Sequence, residues 1–491
     1  MQMRASGILL PVASLPGPYG IGSLGKAAYQ WIDFLQQAKQ KYWQILPIGP
    51  TSYGDSPYQS FSAFAANPYF IDLDRLCSQG LLTREEIDAA QLDSFRQNVD
   101  YKCQFHRRLP LLKKAAGRFR PAQNGYAEFV AENAFWLPDY ALFMALKEEN
   151  GQEAFKKWPR PLRMREAEAM QQARARCAEQ IRCWQVLQYW FHEQWGELKQ
   201  YANEHGVSII GDIPIYVSPD SSDLWTQPSL FQTDQDGELT EVAGCPPDAF
   251  SADGQLWGNP LYRWEEHRRT GYQWWINRLR HAETVFDVVR IDHFRGFSGY
   301  YAVDAKAPTA ADGRWRLGPG SSFVHRIKDA LPEIRIIAED LGYLTPDVRA
   351  LLDESGFPGM KVLQFAFDSR EESDYLPHNY PRNCVVYTGT HDNTTTEDWQ
   401  HSAPAEDVRF AQEYIHAGSR DFTRQFIRAA MASVGSTVII PMQDWLELGA
   451  EARINTPGTL GGNWVWRMPP GADSAGLAQQ IAGMTTLYGR A

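Results

Sequence analysis

This sequence is poor in several features that would direct its reading elsewhere. Its six cysteines (Cys77, Cys103, Cys177, Cys183, Cys245 and Cys384) form no C-x-x-C pair and show no metal-ligand spacing. No disulfide framework or structural metal is therefore indicated, and reduced thiols in a cytoplasmic protein are expected. Lys/Arg runs are absent and the net charge is −11, which disfavours nucleic acids and anionic membranes as partners. No apolar stretch approaches the roughly 18–20 residues of a membrane span. The short apolar run near the start is broken by Pro11; it is too brief for a signal-peptide core and reads as a first strand. No G-x-G-x-x-G follows that strand, and there is no internal repeat or low-complexity segment.

What the chain does contain is a series of short apolar runs, each ending in Pro, Gly or a polar cluster. They lie at 7–12, 42–48, 207–213, 285–291, 334–338, 361–367, 384–387 and 436–440. Helical patterns fall between most of them, at 24–40, 190–205, 272–284, 321–331, 345–355 and 420–434, with Trp274, Trp275, Leu279 and Ala282 showing the 3.6-residue period well. Eight β-runs alternating with helices imply parallel pairing, and eight is the number that closes a (β/α)₈ TIM barrel. An open doubly wound sheet is the rival α/β arrangement, disfavoured by the missing glycine fingerprint.

The uneven spacing locates the insertions. We expect one barrel domain over 1–491, a mostly helical inserted subdomain over 51–200, and an inserted active-site loop region over 215–270. The stretch 164–198 reads as one or two long helices. Loops of such length inside a compact domain are usually functional. The chain beyond residue 440 is too short for an appended β-sandwich of roughly 100 residues. Aromatic content is high, at 17 Trp, 22 Tyr and 24 Phe; composition alone does not separate a large core from flat platforms for sugars.

In a (β/α)₈ barrel the working side chains come from the C-terminal ends of strands. Reading off those ends gives Asp212, Asp292, Glu339 with Asp340, His391-Asp392 and Gln443-Asp444. Any one of them has a plainer reading as a helix cap. Several carboxylates at one barrel mouth, however, repel unless the site uses them. Divalent metal binding and glycosyl transfer both use such clusters, and a metal site would recruit more histidine than is present. Glycosyl transfer needs one ionised carboxylate and one carboxylic acid of raised pKa. Arg290 shares a strand face with Asp292, so its charge suits Asp292 to the nucleophile. Glu339, among Ile337, Ala338 and Leu341, suits the acid/base.

Together these motifs resemble the 4-α-glucanotransferases (amylomaltases or disproportionating enzymes) of the α-amylase-like clan. The resemblance rests on Val289-Arg-Ile-Asp-His-Phe-Arg-Gly296, Ala338-Glu-Asp-Leu-Gly342, Gly389-Thr-His-Asp-Asn393 and Gly211-Asp-Ile-Pro-Ile-Tyr-Val217. It rests also on the loop from Gly244 to Pro260 and on Ser56-Pro-Tyr-Gln-Ser60, so it runs from residue 7 to at least 464. The resemblance implies Asp292 as nucleophile, Glu339 as general acid/base and Asp392 as transition-state stabiliser acting with His391. It also implies sugar contacts from Arg290, Asp212, Asp248, Gln255, Trp257, Tyr58, Ser56 and Asn463, with Asp340 assigned to substrate binding beside Glu339. Donors are expected to be maltooligosaccharides or other α-1,4-glucans, and acceptors glucose or maltooligosaccharides. No cofactor is expected. Nor is calcium, because the stretch after Asp212 lacks the Asn and His of the D-x-x-x-N-H pattern that many amylases carry. An α-1,4-glucan hydrolase on the same residues, or a non-catalytic glucan-binding barrel, remains an alternative.

Overall fold

The structure is a computed structural model that describes residues 4–92, 97–120, 125–247, 253–342 and 344–491. Among these residues twelve strands occur: β1 (Ala5–Leu9), β2 (Tyr42–Gln44), β3 (Ser208–Ile213), β4 (Glu241–Cys245), β5 (Gln255–Pro260), β6 (Val288–Ile291), β7 (Gly299–Asp304), β8 (Arg314–Leu317), β9 (Ile336–Ala338), β10 (Gly359–Val362), β11 (Cys384–Tyr387) and β12 (Thr437–Pro441). Eight of them make one parallel sheet in the order β10-β11-β12-β1-β2-β3-β6-β9. Each apolar run of the sequence overlaps one of these eight, the run at 361–367 only at Lys361 and Val362, and the sheet curls into the (β/α)₈ barrel. No strand comes after β12 among the described residues.

The inward side chains Leu9, Ile210, Val288, Ile337, Val362, Val385 and Ile439 fill the barrel. The outward ones join a larger apolar layer beneath the helices. The helix Gln273–Val285 shows why the sequence patterning holds: Trp274, Trp275, Leu279 and Ala282 are all buried on its inner face. Close approach at one strand demands glycine: a Cβ at Gly211 would lie 2.2 Å from the Phe286 ring.

Between β2 and β3 lies a run of helices, the longest being Leu137–Glu149 and Ala178–Glu204. Ala167–Arg176 and Ala178–Glu204 are two helices, separated at Cys177. The second packs against Leu137–Glu149 and also against the barrel at β3 and the helix Lys26–Gln37. Most of the tryptophan is spent here and in the barrel wall: Trp31, Trp43, Trp190, Trp195, Trp225 and Trp275 are fully buried. The aromatic excess is thus mainly core, each such ring contributing about 1.5–3 kcal/mol through burial.

The sequence reading of 215–270 as a loop region overlooks a second sheet. Strand β4 pairs antiparallel with both β5 and β7, and β7 with β8, giving the order β5-β4-β7-β8. A register shift between Val242 and Gly244 breaks the two-residue alternation that would have revealed the strands. The sheet ties the 215–270 excursion to the hairpin after β6, and so to the end of the strand that carries Asp292.

Candidate active site

At the C-terminal end of β6 the backbone N–H of Asp292 donates to Ile213 O at 3.0 Å, which fixes its Cα beside the end of β3. The next residue, His293, adopts a left-handed conformation with φ of 52°, strained for a residue with a Cβ. That turn aims the His293 N–H at Glu339 Oε2, 2.6 Å away. The other oxygen of Glu339, Oε1, accepts from Leu341 N–H at 2.7 Å. Both hydrogen bonds favour the charged carboxylate. Burial, helped by the charge of Asp292, outweighs them together with Arg290 and pushes Glu339 up to about 7. A carboxylic acid is thereby available near neutral pH, at the strand end adjoining Asp292.

Arg290 is buried beneath these groups. Its Nη1 donates to both oxygens of Asp212, at 2.8 and 2.7 Å, and stands 3.1 Å from Asp292 Oδ1. Burial works against the guanidinium, but Asp212 and Asp292 outweigh that effect and hold it charged. Asp212 also accepts from the Tyr58 hydroxyl at 2.8 Å, and burial raises its pKa against the opposing pull of Arg290. Asp212 is therefore occupied in holding Arg290 and Tyr58 from below.

On the far side of the mouth, the loop after β11 carries His391 and Asp392. His391 is buried and stacks on Tyr58, with ring centroids 5.1 Å apart and an 18° interplanar angle. Its Nε2 lies 3.4 Å from Asp392 Oδ1. Asp392 is half open to the cleft, and its Oδ1 accepts from Asn455 Nδ2 at 2.6 Å. Asp444 at the end of β12 supports this loop from within, accepting from Thr388 Oγ1 at 2.5 Å and from Thr396 N at 2.8 Å.

Trp257 and Gln255 share one side of β5, with Trp257 Nε1 donating to Gln255 Oε1 at 3.1 Å. The Trp257 ring meets His293 edge to face at 4.9 Å. Ser56 Oγ accepts from Tyr58 N–H at 3.3 Å, closing the turn that presents the tyrosine. Asn463 Oδ1 accepts from Thr456 N–H, and its amide donates to Thr459 O, so it braces the 456–463 loop at the cleft rim. Asp248 lies outside the described residues.

One assignment needs correction. Asp340 was expected to bind substrate, but its chain neighbour Glu339 faces the site and Asp340 points the opposite way, as successive extended residues do. Its Oδ1 accepts from Met360 N–H at 2.6 Å, and the side chain is buried against Gly359 in the barrel wall.

These elements surround a cleft of about 1610 Å³, lined by Tyr58, Trp257, Asp292, His293, His391 and Asp392 among others. That exceeds the roughly 300–1,000 Å³ of a site for one small molecule and suits an extended chain. Among the lining residues that the sequence reading does not propose for the site are His293, Trp464 and Asn455. The first two adjoin singled-out residues, Asp292 and Asn463. Asn455 is 63 positions from the aspartate it holds and gives no local signal. Among the described residues no cluster of His, Cys, Asp and Glu is arranged to hold a metal ion, and no helix is long and apolar enough to cross a membrane.

The sequence profile of the 4-alpha-glucanotransferase family matches residues 10–473. A 4-alpha-glucanotransferase of Streptococcus pneumoniae is 46% identical over 498 residues, covering 100% of this chain and 98% of the relative. One from Thermus thermophilus is 46% identical over 481 residues, covering 95% of each. Among solved structures, an amylomaltase from Streptococcus agalactiae in complex with acarbose superposes with a TM-score of 0.95 at 42% identity, covering 99% of both chains. An amylomaltase from Corynebacterium glutamicum shares the fold at 17% identity and a TM-score of 0.79, covering 99% of this chain and 74% of the other.

Proposed function

Because the chain belongs to the 4-alpha-glucanotransferase family, we propose that it moves α-1,4-glucan segments between maltooligosaccharides or starch-type glucans by retaining double displacement. Glu339 protonates the glycosidic oxygen while Asp292 attacks the anomeric carbon. The bond to the leaving sugar breaks and an ester to Asp292 forms through an oxocarbenium-like state. Glu339, now ionised, removes the proton from an acceptor 4-hydroxyl, which displaces Asp292 and forms the new α-1,4 bond. Asp392, oriented by Asn455 and flanked by His391, binds the distorted sugar more tightly in that state than in the ground state.

The observation that carries this reading is the contrast between two carboxyl groups on neighbouring strands. Asp292 lies 3.1 Å from the Arg290 guanidinium, whereas Glu339 is buried and held protonated up to about pH 7. Two carboxyl groups in opposed environments are what an acid and a nucleophile need. Tyr58, Trp257 and His391 supply the sugar-facing walls, with Gln255, Ser56 and Asn463 at further subsites. The helical insertion over 51–200 and the 215–270 region frame a multi-sugar cleft. Of these, the 51–60 segment and the 254–259 stretch line the cleft and favour an incoming glucan over water for release of the ester. Donors are maltooligosaccharides and longer α-1,4-glucans, acceptors are glucose or maltooligosaccharides, and the site of action is the cytoplasm.

Incubation with maltotriose tests this. Transfer yields glucose together with longer maltooligosaccharides while the number of reducing ends stays constant. Rising reducing ends without longer products would establish a hydrolase instead. An Asp292→Asn chain that still turns over maltotriose would remove the nucleophile assignment.

A further inference from the structure

The barrel is closed most sparsely between β9 and β10, which share no strand ladder. Among the described residues two hydrogen bonds cross the seam: Ala338 N–H donates to Pro358 O at 3.0 Å, and Met360 N–H donates to Asp340 Oδ1 at 2.6 Å. Residue 359 must be glycine for this closure, since a Cβ there would lie 2.6 Å from the Asp340 carboxyl. Asp340 thus sets the height of Met360 along the barrel axis.

The Met360 side chain turns into the apolar barrel interior, where it is 1% exposed. There its Sδ accepts from Arg290 Nε at 3.4 Å. The guanidinium is planar, so fixing Nε and Nη1 fixes its whole orientation. Nη1 is already bonded to Asp212 and stands 3.1 Å from Asp292. A thioether is a weak, neutral acceptor. It takes the Nε proton without adding negative charge below the site, so the cation's field stays directed at the two aspartates. Met360 lies among the aliphatic side chains of Ile337, Val288 and Val362, none of which offers an acceptor.

We propose that Met360 is a positioning residue for glycosyl transfer: its sulfur, held in register by the Asp340 latch on the barrel seam, aligns Arg290 on Asp292. The proposal rests on the reading of Asp292 as nucleophile. With Leu at 360 the buried Nε proton loses its partner and the guanidinium tilts toward the water-filled cleft. The walls that bind sugar are untouched, so the loss falls on the chemical step.

Steady-state release of glucose from maltotriose tests it, with thermal melting as the fold control. Met360→Leu nearly conserves volume. It is expected to melt cooperatively near the wild-type temperature, with kcat down about tenfold and KM within about twofold. Met360→Gln supplies an oxygen acceptor and is expected to recover kcat to within about threefold of wild type. Asp340→Asn keeps a carbonyl acceptor for Met360 N–H and is expected to retain both constants. Asp340→Ala is expected to lower kcat without raising KM.

Wild-type kcat in Met360→Leu would overturn the proposal, as would equal losses in the Leu and Gln chains. A raised KM with kcat intact in Asp340→Ala would make Asp340 a sugar contact and remove the latch. Should the Leu chain not fold, the Gln chain alone decides: folded with a tenfold loss of kcat, it overturns the proposal. Asp292→Asn separates the two levels, since turnover in that chain removes the nucleophile assignment itself, whatever the variants at 360 do.

Discussion

Asn455 donates its side-chain amide to Oδ1 of Asp392 at 2.6 Å, joining the loop after β12 to the loop after β11. The backbone joins the same two loops, with Asn455 N–H donating to His391 O at 3.1 Å and Arg453 Nη2 to Asp392 O at 2.7 Å. Asp392 itself is half open to the cleft, so without the amide only His391, 3.4 Å from the same oxygen, restrains its carboxylate. Asn455→Ala is expected to reduce kcat for maltotriose about tenfold, with a smaller change in KM. Asn455→Asp, which sets a second carboxylate against Oδ1, is expected to lose more. Equal kcat in the Ala chain and wild type would show that Asp392 needs no such restraint.

The raised pKa of Glu339 predicts the pH behaviour of both activity and stability. As the acid of the first step, Glu339 must be protonated, so kcat/KM is expected to fall as pH rises through about 7. A carboxyl whose pKa rises on folding binds its proton more tightly in the folded state. Its stabilising effect is therefore full below the ordinary value of 4.5 and is lost as pH rises through about 7. The loss is on the order of 3 kcal/mol. Urea unfolding of the wild type and of Glu339→Gln at several pH values reads this difference. A wild type that gained stability relative to Glu339→Gln between pH 4.5 and 7 would reverse the sign and refute the assignment.

Trp257 stands on β5 with its ring against His293 and its face in the cleft lining. Trp257→Ala is expected to raise KM for maltooligosaccharides about tenfold, equivalent to about 1.4 kcal/mol of binding, with kcat less affected. Trp257→Phe, keeping a ring of smaller area, is expected to fall between. An unchanged KM in the alanine chain would take Trp257 out of the sugar-binding set.

Asp444 is fully buried and accepts three hydrogen bonds, from Thr388 Oγ1, Thr396 N and Thr396 Oγ1. Asp444→Ala leaves those donors unpaired in a dry environment and is expected to cost about 3 kcal/mol of unfolding free energy. Because the same bonds span the loop that bears His391 and Asp392, kcat is expected to fall with it. Unfolding midpoints in urea check the first effect, and maltotriose turnover the second.

The eight barrel strands were legible because buried parallel strands read as short β-branched runs, and those runs keep their character wherever the chain folds. The second sheet was not. Strands β4 and β8 are short, β4 carries a register shift at Val242–Gly244, and the burial of β8 barely alternates. Strand pairing across more than fifty intervening residues has no local signature.

Asp340 illustrates the other limit. It stands beside Glu339, in the same motif and at the same strand end, and both are carboxylates. Only their alternation across an extended backbone sends one to His293 and the other to Met360. The sequence reading assigns Glu339 to acid/base work and Asp340 to substrate binding beside it; the geometry puts Asp340 in the wall.

Residue types at strand ends were enough to place Asp292, Glu339 and Asp392 at one barrel mouth, because a parallel barrel collects every C-terminal strand end on one face. What only the tertiary structure decided is how each carboxyl is prepared. Arg290 comes to Asp292 on its own strand, but Asp212 and Met360 that fix Arg290, and Tyr58 that bonds Asp212, come from positions far along the chain. The protonation of Glu339 arises from burial and from the charge of Asp292. Both depend on the surroundings that folding assembles, and neither is carried by the residue itself.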